Sequence, residues 1–580
     1  MKFIGKLLIF VIVVLLLAMV AGYFLLQTRW GATQVANWVN EKSQYHLTVE
    51  AIDHQLSSPS HVLLRNVNFG RKGQPATLVA KTVDIGLSSR QFTDPLHTDT
   101  ILLQDGTLNL SPATAPLPFQ ADRLQLSNMA FNSPATGWDL SAQRVTGGVS
   151  PWQPVEGNVL GTQAQIQMSA GSMTLNGVPA SNVLIQGSID KGTVTLTTIG
   201  ADMARGSLTG NARRDADGGW VVDNLRLTDI RLQSDKSLKD FFAPLTTLPS
   251  LQIGRLDVTD ARLQGPEWAI ADLDLTLRNL TLTKGDWHTD DGQLSMNANE
   301  FIYGSLHLFD PIINAEFTPA GIAMQQFTTR WENGMVRTSG YWTRSGKALV
   351  LNDAAIVGLE YTLPANWKQL WMDTLPDWLN SVTLTRFSAS RNLVIDIDPA
   401  FPWQLTSLDG YGTNVQLARD HKWGVWNGDV KINAAAATFN RVDVRRPSLA
   451  LSANGSSVNI TELSAFVEKG MLEATAVVGQ TPDRTVRVSL NGRGVPMNVL
   501  QQWGWPALPI GGDGNLQLSA TGRIQADAPL KPTVDGELSA VNAQQQQVKQ
   551  TMRSGVVSGG EAAAPASAPV PVPAETQPTP

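Results

Sequence analysis

The chain has 580 residues, no cysteine, 16% charged residues and a formal net charge of −6. So small an imbalance on so long a chain supplies neither the basic footprint that binds nucleic acid nor an acidic tail. The lack of thiols excludes disulfides, cysteine nucleophiles and cysteine-ligated metals.

The chain opens with a short N-terminus, residues 1–6, followed by an uncharged and almost wholly apolar run at residues 7–26. Twenty residues at about 1.5 Å each span about 30 Å, the thickness of a bilayer's hydrocarbon core. Lys2 and Lys6 precede the run, so the positive-inside rule places residues 1–6 in the cytoplasm and the remainder across the membrane. A cleaved signal peptide, with Ala18 and Ala21 near the cut, is the competing reading. A cleaved apolar region usually ends after about 7 to 15 residues, whereas this one continues through Leu26. Residues 28–43, with Trp30, Val35, Trp38 and Val39, predict a short helix at the membrane surface whose tryptophans serve as interfacial anchors or as core.

From Tyr45 onward period-two alternation dominates, as in Leu273, Leu275 and Leu277 or Val486, Val488 and Leu490, the pattern of strands with one apolar face. Within it one motif recurs: two alternating apolar residues, two mostly polar residues, then two more alternating apolar residues. It appears as Val62, Leu64, Val67 and Phe69 around Arg65-Asn66, and as Leu124, Leu126, Met129 and Phe131 around Ser127-Asn128. Further copies are Leu225, Leu227, Ile230 and Leu232, then Leu256, Val258, Ala261 and Leu263, then Leu275, Leu277, Leu280 and Leu282. Looser ones begin at Val382, Ala437 and Val458. In an unbroken strand, two polar residues in a row send the second apolar pair to the opposite face. A β-bulge restores a common face while bending the strand, and bulges repeated along a sheet curve it into a trough with an apolar wall. Asn-Gly and Asp-Gly, the dipeptides tight hairpins prefer, are absent from these copies, which favours a bulge over a turn. Whether the apolar face is covered by a second sheet or by a ligand is left open by alternation alone.

Residues 236–248, 366–379 and 495–505 read as helical interruptions, the second carrying a stripe of Trp367, Leu370, Trp371 and Trp378 that plugs a core or gates the trough. After Ala540 the composition turns to glutamine, glycine, alanine and proline, so residues 541–580 are expected to form a disordered tail behind a body of residues 28–540. At about fifteen residues per strand and turn, that body amounts to roughly thirty strands.

Signals for chemistry are weak. The seven histidines, His46, His54, His61, His97, His288, His307 and His421, form no metal-binding motif, and the sequence has no nucleophile elbow, phosphate loop or dinucleotide fingerprint. No catalytic residue, metal site or cofactor is assigned, and an enzyme is disfavoured.

The anchor followed by Trp30 to Val49 resembles the start of AsmA-like envelope proteins of Gram-negative bacteria. The stretch Val486 to Gly522 is similar to that family's C-terminal region, with Asn491-Gly-Arg-Gly-Val-Pro496, Leu500, Trp503-Gly504, Pro509-Ile510-Gly511 and Leu516-Gln-Leu-Ser519. The resemblance covers most of residues 1–540 and brings no catalytic residues with it. It implies a single-pass inner-membrane protein with a periplasmic body. The implied fold is mainly β: an elongated, curved, repeating β-groove sheet with a few short helices behind one transmembrane helix. The implied role is support of phospholipid movement from the inner to the outer membrane, in outer-membrane biogenesis. The sixteen apolar residues of the motif copies at 62–69, 124–131, 225–232 and 275–282 are the candidate lipid-groove positions. A periplasmic scaffold for outer-membrane proteins and, less favoured, an exported hydrolase are the alternatives. The expected partners are the inner membrane, phospholipid and outer-membrane or periplasmic proteins, with no nucleic acid.

Overall fold

The computed structural model describes residues 2–109, 118–133, 139–155, 160–175, 177–480, 484–525 and 528–560, with side chains from Phe10 onward. The protein is mainly β, as the alternation predicts, and divides into two units, Met1–Ser305 and Leu306–Pro580. Within each unit the strands form one sheet in which a strand pairs chiefly with its neighbours in the chain, so a two-sheet sandwich is not what covers the apolar face.

Most pairings are antiparallel. The exceptions are His97–Asn109 beside Gln120–Ser133, Trp220–Thr228 and Arg231–Gln233 beside Ser250–Gln264, and Ala348–Val357 and Glu360–Thr362 beside Ser381–Asp396. Parallel neighbours require a crossover connection, which explains two of the predicted helical interruptions. Helix α3 (Leu238–Thr246) lies in the second crossover and helix α4 (Trp367–Met372) in the third. The predicted segment 495–505 keeps only one helical turn, α5 (Val499–Gln502). At the N-terminus, α1 (Lys2–Leu26) precedes α2 (Arg29–Lys42).

The recurrent polar pairs bend the strands through the second residue of each pair. Asn66, Asn128, Asp229, Asp260 and Asn279 have φ of 50°, 54°, 57°, 48° and 52°, so all five clear copies place an Asn or Asp in the left-handed region. That region costs an ordinary L-residue about 1–2 kcal/mol, less where a short polar side chain bonds locally. The register slips at Asn128, between Leu126 and Met129, and at Asp260, between Val258 and Ala261, which identifies β-bulges. Unmarked strands carry the same device: Asp105, Arg144, Asn182 and Asp272 are left-handed too.

The bent residues also bond across the sheet. Asn128 Nδ2 donates to Asp105 Oδ1 at 2.7 Å, and Asn182 Nδ2 to Asp202 Oδ2 at 2.7 Å. Arg231 donates to Asp260 Oδ2 at 2.9 Å, and Asn299 Nδ2 to Asp272 Oδ2 at 2.6 Å. The looser copies differ. The one at Val458 slips register between Ile460 and Leu463. The one at Val382 runs straight between Leu384 and Phe387. The one at Ala437 is a tight hairpin: Asn440 and Arg441, at φ 44° and 71°, link Ala436–Phe439 to Val442–Asn454. Two successive positive φ angles match the right-handed twist of a two-residue hairpin, so the turn reading holds at this copy.

The expected disordered tail is corrected over its first part. Gln547–Arg553 and Val556–Ser558 are strands, the first paired with Asp535–Asn542, and residues 561–580 lie outside the described residues. Val548 and Met552 are buried with Leu516, Leu538, Met497, Leu500 and Trp505 in the core of the second unit. Between them Gln550 faces inward as well, accepting from Trp505 Nε1 at 2.9 Å and donating to the Ala507 carbonyl at 3.3 Å.

Two outcomes test this architecture. In denaturant unfolding of the purified chain, Asn128→Val is expected to cost about 1–2 kcal/mol, and Asn128→Gly, which adopts the same φ freely, less. Equal losses would remove the conformational account. A chain ending at Ala540 is expected to lose several kcal/mol from the second unit, since burying Val548 and Met552 contributes about 1.5–3 kcal/mol each and Trp505 is left without its acceptor. A chain ending at Gly560 keeps those contacts, and limited proteolysis with thermal scanning distinguishes the two.

Candidate functional site

The bends decide which side chains meet. On either side of Asn66, Leu64, Val67 and Phe69 line one cavity, and so do Leu124, Leu126 and Phe131 around Asn128. The cavity has a volume of about 150 Å³ and is walled by aliphatic and aromatic side chains apart from Thr98. Met129 is fully buried in the surrounding core, and Val62 is half-buried on the strand that carries Leu64. An apolar void of this size stays dry and takes up a benzene-sized molecule. By itself it holds only part of an acyl chain.

The later copies form a second, shallower group. Ile230 is buried with Ala261, Leu273 and Ala298, and Leu227, Leu232 and Leu275 pack against them. Leu225 and Leu277 flank Leu256 from the two neighbouring strands, Leu280 faces Ile253, and Leu282 pairs with Leu251; all four stay half-buried. The first cluster reaches Ala201 and the second begins at Met203, so apolar packing continues along this unit's sheet. Helix α3 packs on the strand Trp268–Thr283: Phe241 contacts buried Trp268 at 5.3 Å between ring centroids, and Trp268 Nε1 donates to the Lys236 carbonyl at 3.0 Å.

Sequence reasoning missed much of the first cavity's wall, which includes Val83, Ile85, Ile101, Leu103, Leu108, Trp152 and Met168. Alanine or glycine disguises the motif in those strands. Ala80, Lys81, Thr82 and Val83 keep its spacing, and the left-handed Asp105 is followed by Gly106, where a Cβ would stand 2.0 Å from the Val79 carbonyl oxygen. An Asn or Asp just before the second apolar pair is the signal that finds more of them.

A second recess in the same unit is mixed in character, with Ile166, Met168 and Leu184 beside Gln125, Gln165, Gln167 and Gln186. Further along, Arg255 Nε lies 2.7 Å from Asp257, whose other oxygen accepts from Thr276 Oγ1 at 3.1 Å, and Arg262 Nε lies 2.7 Å from Asp272. These guanidinium contacts hold both carboxyls below the ordinary carboxylate value, against the opposing effect of burial. Among the described residues no group of three or more histidines and carboxylates is placed to hold a metal ion.

In the stripe at residues 366–379, Trp367 Nε1 donates to Asp396 Oδ2 at 3.0 Å and Trp371 stacks on Trp423. Leu370 and Trp378 remain exposed. The motif residues near the C-terminus are packing residues: Val495, Leu500, Ile510 and Leu516 are buried together, and Trp503 Nε1 donates to the Phe439 carbonyl at 3.0 Å.

At the N-terminus the apolar side chains of Phe10 to Leu26 are largely exposed. Among the described residues no single helix is long and apolar enough to cross a membrane, but Phe10–Leu26 and α2 pass that test as a pair bent by 83°.

Because Asp257 and Asp272 are held below the carboxyl value of the unfolded chain, about 3.9, the stability they contribute is complete above that pH. It is lost as the pH falls through their lowered folded values. Thermal unfolding between pH 7 and pH 3 is therefore expected to show a plateau and then an acid decline, the decline being smaller in Asp257→Asn. Rising stability on acidification would contradict the assignment.

Comparison with known proteins gives two matches. Residues 398–545 match the AsmA family. Over 561 residues the chain is 70% identical to the AsmA family protein YicH of Escherichia coli (strain K12), covering 97% of this chain and 99% of that protein.

Proposed function

The chain belongs to the AsmA family, and from that premise we propose that it is an inner-membrane-anchored periplasmic protein that supports phospholipid transport toward the outer membrane through its apolar groove. The observation that carries this reading is the first cavity, walled by apolar side chains that the strand bends gather onto one face. Exposing an acyl chain to water costs about 0.8 kcal/mol per CH₂, on the order of 10 kcal/mol for a whole chain. A lipid leaving a bilayer therefore needs a lining that continues from group to group, while its headgroup stays hydrated at an open edge. The half-buried leucines of the second group supply such a continuation.

In this reading α1 is the anchor, Lys2 and Lys6 hold the N-terminus in the cytoplasm, and the β-rich units lie in the periplasm. The role is carriage: no step makes or breaks a covalent bond, and the protein needs no metal or cofactor.

Photo-crosslinking side chains at Leu126, Leu227 or Leu277 are expected to capture phospholipid in cells, whereas those at Gln125, Arg226 and Thr276 are not. Equal labelling of both sets argues against a one-sided groove, and capture of protein in place of lipid favours the scaffold reading. Leu277→Asp places a charge on the apolar path and is expected to oppose acyl passage by several kcal/mol. A folded Leu277→Asp protein that carries lipid at the parental rate would overturn the mechanism.

A further inference from the structure

Helix α2 has two unlike faces. Ala32 and Ala36 are buried against the sheet and Val39 lines the apolar cavity. Trp30 and Trp38, by contrast, are 62% and 65% exposed. Trp30, Gln34 and Trp38 stand at successive intervals of four residues, which keeps them along one side of the helix. Large exposed indoles on a short helix suit a layer that is apolar on one side and wet on the other.

The junction with α1 fixes how that side is presented. Thr28 Oγ1 donates to the Leu25 carbonyl at 2.6 Å and accepts from the Gly31 N–H at 3.2 Å, closing the elbow. A Cβ at Gly31 would stand 2.4 Å from the Leu25 carbonyl oxygen, so the close approach there admits only glycine. Tyr23 Oη lies 2.8 Å from His54 Nδ1, and Arg29 lies 2.8 Å from Glu50, tying both sides of the elbow to the first strands. The helices therefore meet at a braced angle of 83°. If α1 follows the membrane normal, α2 lies almost in the membrane plane.

We propose that α2 is a docking helix whose Trp30 and Trp38 side sits in the headgroup layer of the bilayer that α1 enters. Arg29 is engaged by Glu50 and Lys42 follows Glu41, so the contact rests on the indoles and not on net charge. Trp38 and Val39 are consecutive, and a helix is only about 10 Å across, so docking brings the cavity wall within about one helix width of the headgroups. This is where an acyl chain enters. The inference rests on the anchor reading of α1 and adds to it a second, in-plane contact.

The chain contains no cysteine, so Gln34→Cys gives a single site for a nitroxide label with both tryptophans intact. The probe is the full chain in phosphatidylethanolamine–phosphatidylglycerol vesicles, with Arg226→Cys as the aqueous reference and Leu16→Cys as the reporter of α1. The label at residue 34 is expected to be several-fold less accessible to a water-soluble paramagnetic reagent than the label at residue 226, and to regain accessibility when Trp30 and Trp38 are both changed to serine. A label at 34 as accessible as that at 226, while the label at 16 is shielded, overturns the docking helix and leaves the anchor standing. Exposure of the label at 16 as well overturns both. Shielding at 34 that survives removal of both tryptophans overturns their role.

Discussion

The structure depends on one conformational constraint: a strand reverses the facing of its side chains at every residue, so an apolar stripe interrupted by two polar residues cannot stay on one side unless the backbone turns locally. Here the turn is made by a residue of positive φ just before the second apolar pair. The side chain chosen, usually Asn or Asp, is short enough to tolerate that geometry and polar enough to bond to the next strand. The apolar wall of the first cavity follows from it. A valine at Asn128 would sacrifice the backbone angle and the bond to Asp105 together.

The helices answer a different requirement. Strands that lie parallel to their predecessors cannot be joined by a tight turn, and α3 and α4 occupy such crossovers, each placing an aromatic ring against a tryptophan of the sheet. Helix α2 serves the sheet's first edge. Asn40 accepts from the Leu47 N–H at 2.7 Å and donates to the Leu47 carbonyl at 3.0 Å, satisfying backbone groups that would otherwise invite another strand. The same helix thus covers an edge, contributes to the cavity through Val39 and carries two exposed tryptophans.

What could be read from the sequence was whatever is local. The five clear motif copies are visible because Asn or Asp stands between leucines, valines and phenylalanines; the strands at residues 78–86 and 97–109 are less so, because Ala80 and Gly106 stand where the motif has a larger apolar residue. Asn440-Arg441 could not be told from a bulge, since both devices use positive φ and only the pairing of Phe439 with Val442 separates them. The strand at residues 547–553 is hidden by composition: the glutamine run before it and the Gly, Ala and Pro after it carry the signature of a tail, and Gln550 sits on its inward face. That glutamine is buried only because Trp505, forty-five residues away, supplies its partner, and no local pattern contains such a relation. The lining role of the apolar residues lies between these cases: alternation marks the face, and among the described residues the strands of each unit belong to one continuous sheet.

Neighbour-to-neighbour pairing has a consequence for how such a protein comes into being. Most strands bond to the segment made just before them, so loops closed on folding are short and their entropic cost is modest. The chain can therefore settle one hairpin at a time as it emerges, each new strand finding its template already in place. The same arrangement makes length an adjustable quantity: a hairpin inserted or removed between two strands alters the number of rungs without changing the rules by which the others pair.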